Sequence, residues 1–300
     1  MANIAVGTRI TLKNILYLTD FSEPSEAALP FAASVAREYE AKVYAFHVLI
    51  PAVYTYTTPE LTAAALEAQE EAAQENMQRV EAQLTGLVHE SVIERSTGIW
   101  PALEQAVKDY AIDLIVLGTH GRTGTHKLLL GSIAEEVFRR SHIPVLTIGP
   151  AEHRGVHRAA KFRSVLFATD FTNASLAAAP YAISMAQENN ARLTLLHVMK
   201  EPETKLTERA AEDARSNAIF QLHELVPESA ELWCRPEAAV QTGNPADCIL
   251  KVAKESDADL IVLGVRDAPG GFLGPATHLE RSTAHRVVVH ATCPVLTVRG

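Results

Sequence analysis

What most constrains this chain is that it repeats itself. Ile15-Leu-Tyr-Leu-Thr-Asp-Phe-Ser22 returns as Val165-Leu-Phe-Ala-Thr-Asp-Phe-Thr172, Ala28-Leu-Pro30 as Ala178-Ala-Pro180, and His47-Val48 as His197-Val198. Near the ends of the two copies, Ile143-Pro-Val-Leu-Thr-Ile148 returns as Cys293-Pro-Val-Leu-Thr-Val298. All four pairs lie 150 residues apart (165 − 15, 178 − 28, 197 − 47, 293 − 143). One block breaks the register: Asp113-Leu-Ile-Val-Leu-Gly118 recurs as Asp259-Leu-Ile-Val-Leu-Gly264, a shift of 146 (259 − 113). Self-similarity on this scale predicts two homologous domains, 1–150 and 161–300, joined by a linker at 151–160, each long enough to bury its own core.

Within each copy, apolar runs of strand length alternate with segments of helical periodicity, the pattern of a parallel sheet covered on both faces. In the first copy the spacing predicts strands near 14–19, 42–49, 90–95, 113–118 and 143–148, with helices near 23–40, 60–85, 100–110 and 132–141. Open α/β sheets of this kind bind ligands beyond the carboxyl ends of their strands, where the strand order reverses. Three strand-end segments are therefore candidates.

After the first strand, Asp20 could accept hydrogen bonds from a ribose hydroxyl or an adenine amine, or could cap the following helix. After the second, Val48 could form an apolar wall for a flat base, or be plain core; His47 and His197 read as packed or hydrogen-bonded strand-end histidines. After the fourth, the chain runs Gly118-Thr-His-Gly-Arg-Thr-Gly-Thr-His-Lys-Leu-Leu-Leu-Gly131-Ser132, a Gly-x2-Gly-x9-Gly-Ser array. Glycines let backbone amides approach a phosphate chain, and a helix starting at Ser132 would offer unpaired N–H groups and the positive end of its dipole. The bland alternative is a capping box, Ser132-x-x-Glu135. The register does not fit Gly-x4-Gly-Lys-Ser/Thr, and Gly-x-Gly-x-x-Gly is absent after the first strand, so the two commonest phosphate-binding loops are rejected.

Composition narrows the function further. With 27 Lys plus Arg against 36 Asp plus Glu, a net charge of −9 and no run of basic residues, nucleic acid and anionic membrane surfaces are poor partners. No stretch approaches the roughly 20 apolar residues that span a bilayer, and no leader is read at the start, so a cytoplasmic protein is expected. Cys234, Cys248 and Cys293 show no ligand spacing and are expected to be buried free thiols. No metal-ligating set is expected among the histidines, because none forms a zinc-like pair with a third ligand.

On these residues the chain resembles a tandem universal stress protein, with one such domain in each half. The glycine array looks like the motif of that family's ATP-binding branch. The resemblance implies an α/β fold with two tandem open-sheet domains, each a five-stranded parallel sheet of order 3-2-1-4-5 with helices on both faces. Carried over by position, it implies that Asp20 and Val48 hold adenosine with Leu18 and Thr19 alongside, and that Gly118 lies near the ribose. Gly121, Gly131, Ser132 and the Ile133 amide would then grip the phosphates, with Arg122 as a local cation and Mg²⁺ accompanying ATP. The family's habit of pairing domains through the last strand implies an intramolecular pseudo-dimer, and two chains could associate as a homodimer.

The second copy departs from the pattern. Gly264 is followed by Val-Arg-Asp267, so the second glycine is missing at its spacing, and Arg281 precedes Ser282 where a glycine is expected. A degenerate second site that does not bind ATP in the same way follows, its own ligand unknown. The expected function is a nucleotide-dependent sensor or regulator in stress survival, without dedicated catalysis and with unknown protein partners. The competing reading is a slow ATPase or autophosphorylating enzyme using the same site, for which His120 is a candidate base by proximity only. Adenylate-forming enzymes are set aside, because their signatures are absent after the first strand.

Overall fold

A computed structural model describes residues 9–50, 59–119, 130–149, 161–201, 207–227, 230, 236–266 and 282–300. The chain divides into two compact units, one over Thr11–Ala160 and one over Lys161–Gly300, with Met1–Ile10 grouped with the latter.

The first unit runs β1 (Asn14–Leu18), α1 (Glu23–Glu26), α2 (Leu29–Tyr39), β2 (Lys42–Leu49), α3 (Pro59–Gln83), β3 (His89–Arg95), α4 (Ile99–Asp109), β4 (Leu114–Gly118), α5 (Ser132–Arg140) and β5 (Val145–Ile148). Its strands are all parallel, in the order β3-β2-β1-β4-β5. The second unit repeats the plan with β6 (Ser164–Thr169), α6 (Asn173–Leu176), α7 (Ala179–Asn189), β7 (Arg192–Met199), α8 (Glu208–His223), β8 (Glu237–Thr242), α9 (Pro245–Glu255), β9 (Leu260–Val265), α10 (Thr283–His290) and β10 (Val295–Arg299). Its order is β8-β7-β6-β9-β10, again parallel. Both are α/β sheets of order 3-2-1-4-5, as expected.

The central strands read as unbroken apolar runs because both faces are covered. Ile15, Leu16, Tyr17, Leu114, Ile115 and Val116 have no exposed surface, and each such aliphatic side chain contributes about 1.5–3 kcal/mol by leaving water. The long helix α3 buries Ala73, Met77 and Val80, and the turn after it Leu84, a spacing of three to four residues that keeps one face on the sheet. The repeated Asp-Leu-Ile-Val-Leu-Gly block also explains itself at its first residue. Asp113 accepts from the amides of Lys13 and Asn14 at 2.7 and 3.0 Å, and Asp259 from that of Arg163 at 2.8 Å. These aspartates tie down the amino-terminal edge of the sheet, the end away from any ligand.

One expected element differs. The helix anticipated over 23–40 is broken into α1 and α2 at Ala27–Ala28. Pro30 has no N–H to give to the carbonyl one turn back, so the ladder restarts, with the Ala32 amide donating to Ala28 at 3.1 Å. Pro180 produces the same break between α6 and α7. Of the cysteines, Cys293 is buried, but Cys248 is only half-buried, because it lies in the first turn of α9; Cys234 lies outside the described residues.

Candidate functional site at the strand order reversal

In the first unit the sheet order reverses between β1 and β4, and Leu18, Thr19, Asp20 and Gly118 lie at the carboxyl ends of these two strands. Leu18 and Thr19 are buried there. The chain then makes a tight turn with Phe21 in the left-handed region at φ 60°, a conformation that costs a side-chain-bearing residue about 1–2 kcal/mol. Local bonds hold it: the Phe21 amide donates to Thr19 Oγ1 at 3.0 Å, and the Ser22 amide to Asp20 Oδ1 at 3.1 Å. Ser22 Oγ donates to the same carboxylate oxygen and accepts from the Ser25 amide at 3.4 Å. The helix cap is thus Ser22, and Asp20 steadies that cap from the strand end without being one.

Behind this turn, Tyr17 donates its hydroxyl to the Ser25 carbonyl at 2.8 Å, and burial pushes that hydroxyl well above its ordinary pKa. His47 donates from Nδ1 to the Thr19 carbonyl at 2.8 Å, its ring 4.3 Å from that of Phe21. This is a packed, hydrogen-bonded histidine. Val48, 9% exposed, lies one residue before the end of β2.

Gly118, at the end of β4, is needed for packing. A Cβ built on it would come within 2.7 Å of the Pro24 carbonyl carbon and 3.1 Å of the Ser25 nitrogen, both backbone atoms of α1. The second unit has the same arrangement: a Cβ on Gly264 would meet the Ala174 carbonyl carbon at 2.6 Å. The two glycines let a short helix lie directly on a strand end.

The other wall is the start of α5. Thr119 donates its amide to Ile148 at 2.9 Å and accepts from the Gly131 amide at 2.7 Å, which anchors the far end of the glycine array to the sheet. Gly131 is the helix cap and has no side chain to make a cap bond, so Ser132 is not the cap that the alternative reading of Ser132 and Glu135 as a capping box requires. Ser132 is the exposed first residue of the helix and Ile133 follows it half-buried. The leading amides of an α-helix have no partners within it, and its dipole puts about half a positive charge at this end. Gly121 and Arg122, with Gly124, His120, His126 and Lys127, lie outside the described residues.

The second unit keeps the corner. Asp170 repeats the role of Asp20, with Oδ1 accepting from the Thr172 amide at 3.1 Å and from its hydroxyl at 2.6 Å. Its other oxygen accepts from Arg266 Nη2 at 2.6 Å. Burial pushes the carboxyl pKa up, but the hydrogen bonds from Thr172, Ser175 and Arg266 outweigh it and hold the group at about 2. At the start of α10 the cap is Ser282, whose Oγ accepts from the His285 amide at 3.1 Å. Sequence reading passed over Arg266; the signal was available, since a cation two residues beyond Gly264 sits where the first copy has His120. Arg281, which stands in the second copy where a glycine is expected, lies outside the described residues.

The sequence profile of the universal stress protein family matches residues 11–149 and again 161–299. The chain belongs to the universal stress protein family. A universal stress protein of Mycolicibacterium smegmatis is 28% identical over 299 residues, covering 95% of this chain and 96% of the relative, so the tandem arrangement is shared along its length. Universal stress protein MJ0531 of Methanocaldococcus jannaschii is 34% identical over 146 residues, covering 45% of this chain and 81% of the relative. Among solved structures, a universal stress protein from Archaeoglobus fulgidus superposes with a TM-score of 0.67 at 22% identity, covering 95% of this chain and 98% of the other, a likeness of fold. Among the described residues no helix is long and apolar enough to cross a membrane.

Proposed function

We propose that this universal stress protein binds ATP, with Mg²⁺, in its first domain, and acts as a nucleotide-dependent sensor or regulator without dedicated catalysis. The observation that carries this reading is the difference between two copies of one corner. At the start of α5 the cap is a glycine, which has no side chain to give to the leading helix amides. At the start of α10 the corresponding serine is spent on its own helix. An anion is the natural occupant of an uncapped helix start beside a glycine-rich loop. ATP would bring a triphosphate to the amides of Ser132 and Ile133 and a ribose to the side of Asp20, with Leu18, Thr19 and Val48 lining the nucleoside and Gly121 and Arg122 belonging to the loop between. The Ser132 hydroxyl, with no cap to serve, is the side chain placed to meet a phosphate oxygen.

The test is to denature freshly purified full-length protein and to identify and quantify the nucleotide released, followed by titration of emptied protein with Mg-ATP. The expected result is about one ATP per chain, lost in Gly131→Arg, which copies Arg281 of the second domain, with the melting temperature of nucleotide-free protein preserved. Undiminished affinity in that variant overturns the phosphate-site assignment, and hydrolysis abolished by His120→Ala would favour the enzyme over the sensor.

A further inference from the structure

We propose that the outer edge of β3 is a docking surface for an extended, basic segment of a partner protein, which adds to the sheet of the first domain as a further strand. β3 pairs with β2 on one side only. The Val43 amide donates to the Val88 carbonyl at 2.9 Å and the Ser96 amide to the Leu49 carbonyl at 3.1 Å, so the even-numbered residues here turn their backbone groups towards β2. Alternate residues of a paired strand turn theirs the other way. The N–H and C=O groups of His89, Ser91, Ile93 and Arg95 therefore line the open edge, and among the described residues none of these groups has a hydrogen-bond partner. Such a row is a template for another strand. The second domain obstructs the matching edge. In β8 the Gly243 amide donates to the Met199 carbonyl at 3.0 Å, which sets Ala238, Val240 and Thr242 outward. Arg215 Nη1 donates to the Val240 carbonyl at 3.2 Å, and Cys248 Sγ, a weak donor, lies 3.8 Å from the Thr242 carbonyl. These are the counterparts of the Ile93 and Arg95 carbonyls, since Tyr44 pairs with Glu90 as Thr194 does with Glu237.

Charge names the occupant. Glu90, Val92 and Glu94 share one face of β3, and both glutamates are exposed. Burial first, and then Glu90, Asp109 and Glu94, push the Tyr110 hydroxyl above its ordinary range, so the three carboxylates lie in one neighbourhood. The cations nearby are already matched: Lys42 reaches Glu90 at 2.6 Å, and Arg95 is paired with Glu70 of α3. A second copy of the chain fits poorly. Antiparallel self-pairing centred on Val92 would set Glu90 of one copy opposite Glu94 of the other, and like charges directly opposite destabilise. A segment with a cation, an apolar residue and a cation at alternate positions meets Glu90, Val92 and Glu94 in turn. In β8, Gln241 stands where β3 has Glu94, so the paired carboxylates belong to the first domain alone.

The experiment adds the peptide acetyl-Thr-Lys-Thr-Val-Thr-Lys-Thr-amide, whose order is the same in either direction, to the full chain and follows amide hydrogen exchange by NMR. The peptide should slow exchange at His89, Ser91, Ile93 and Arg95, whose amides face outward, and leave Ala238, Val240 and Thr242 unchanged. Glu94→Gln should weaken binding about two- to five-fold, and the peptide with Glu in place of Lys should not bind. Ser91→Pro, which removes an outward N–H that β2 does not use, should abolish binding, whereas Ser91→Ala should retain it. Absence of slowing, slowing that reaches β8 equally, or undiminished binding in a Ser91→Pro protein of unaltered melting temperature would each overturn the proposal. So would slowing that grows with protein concentration alone, since the occupant would then be a second copy. If Ser91→Pro lowers the melting temperature, the exchange pattern and Glu94→Gln decide.

Discussion

Replacing Gly118 or Gly264 by alanine separates packing from ligand binding at the strand ends. Neither glycine lies in the left-handed region, so alanine is allowed by the backbone at both positions. Were there room, the substitution would stabilise by about 0.4–1 kcal/mol through the unfolded chain. There is no room: the new Cβ would lie 2.7 Å from the Pro24 carbonyl carbon in one case and 2.6 Å from that of Ala174 in the other, and the obstructing atoms are backbone. The short helix must move off the strand, an overpacking that costs about 1–3 kcal/mol. For domains of roughly 150 residues this lowers the melting temperature by about 2–12 °C, read by calorimetry on nucleotide-free protein. The decisive comparison is Gly264→Ala, because its loss of stability owes nothing to a first-domain ligand. An unchanged or raised melting temperature there would refute the packing argument. A Gly118→Ala protein that lost ATP while keeping its stability would instead leave ribose contact as the reason for that glycine.

The two helix starts should respond oppositely to loss of a serine. Ser282→Ala removes the cap of α10 and should cost about 0.5–2 kcal/mol by urea unfolding, whereas Ser132→Ala, with no cap bond to lose, should cost little stability and weaken ATP binding; the reverse pattern would mean that the serine of α5 caps in solution. Because the carboxyl of Asp170 is held at about 2, below its unfolded value of about 3.9, the stability it contributes is present above about pH 4 and lost as pH falls towards 2. Asp170→Asn should therefore flatten the acid limb of the second domain's stability curve, and an unaltered limb would show that the carboxylate is not held this way.

A good deal of this was legible in the order of residues alone. The repeat dictated two copies of one fold, and continuous apolar runs such as Leu114–Leu117 could only be strands covered on both sides, since alternation is the mark of a half-exposed strand. The spacing of glycines ahead of Ser132 raised the expectation of an anion-binding helix start, because it exceeds what capping alone requires. Local chemistry was readable only to the level of alternatives. Asp20 and Ser132 each suit a cap and a ligand equally well, as both roles use an oxygen near the first turn of a helix.

Which residues cap the helices was decided by tertiary structure. It showed Ser22 as the cap of α1, Gly131 as the cap of α5 and Ser282 as that of α10, a difference of one residue in where a helix begins. It showed that Gly118 and Gly264 lie beneath the backbone of a helix some ninety residues earlier in the chain, which no local pattern records. It also brought Arg266 onto Asp170, 96 positions apart. Periodicity is written in neighbouring residues and so determines strands, helices and their repetition; whether a carboxylate is engaged depends on what the parallel sheet sets beside it, and that is decided only when β6 and β9 lie side by side.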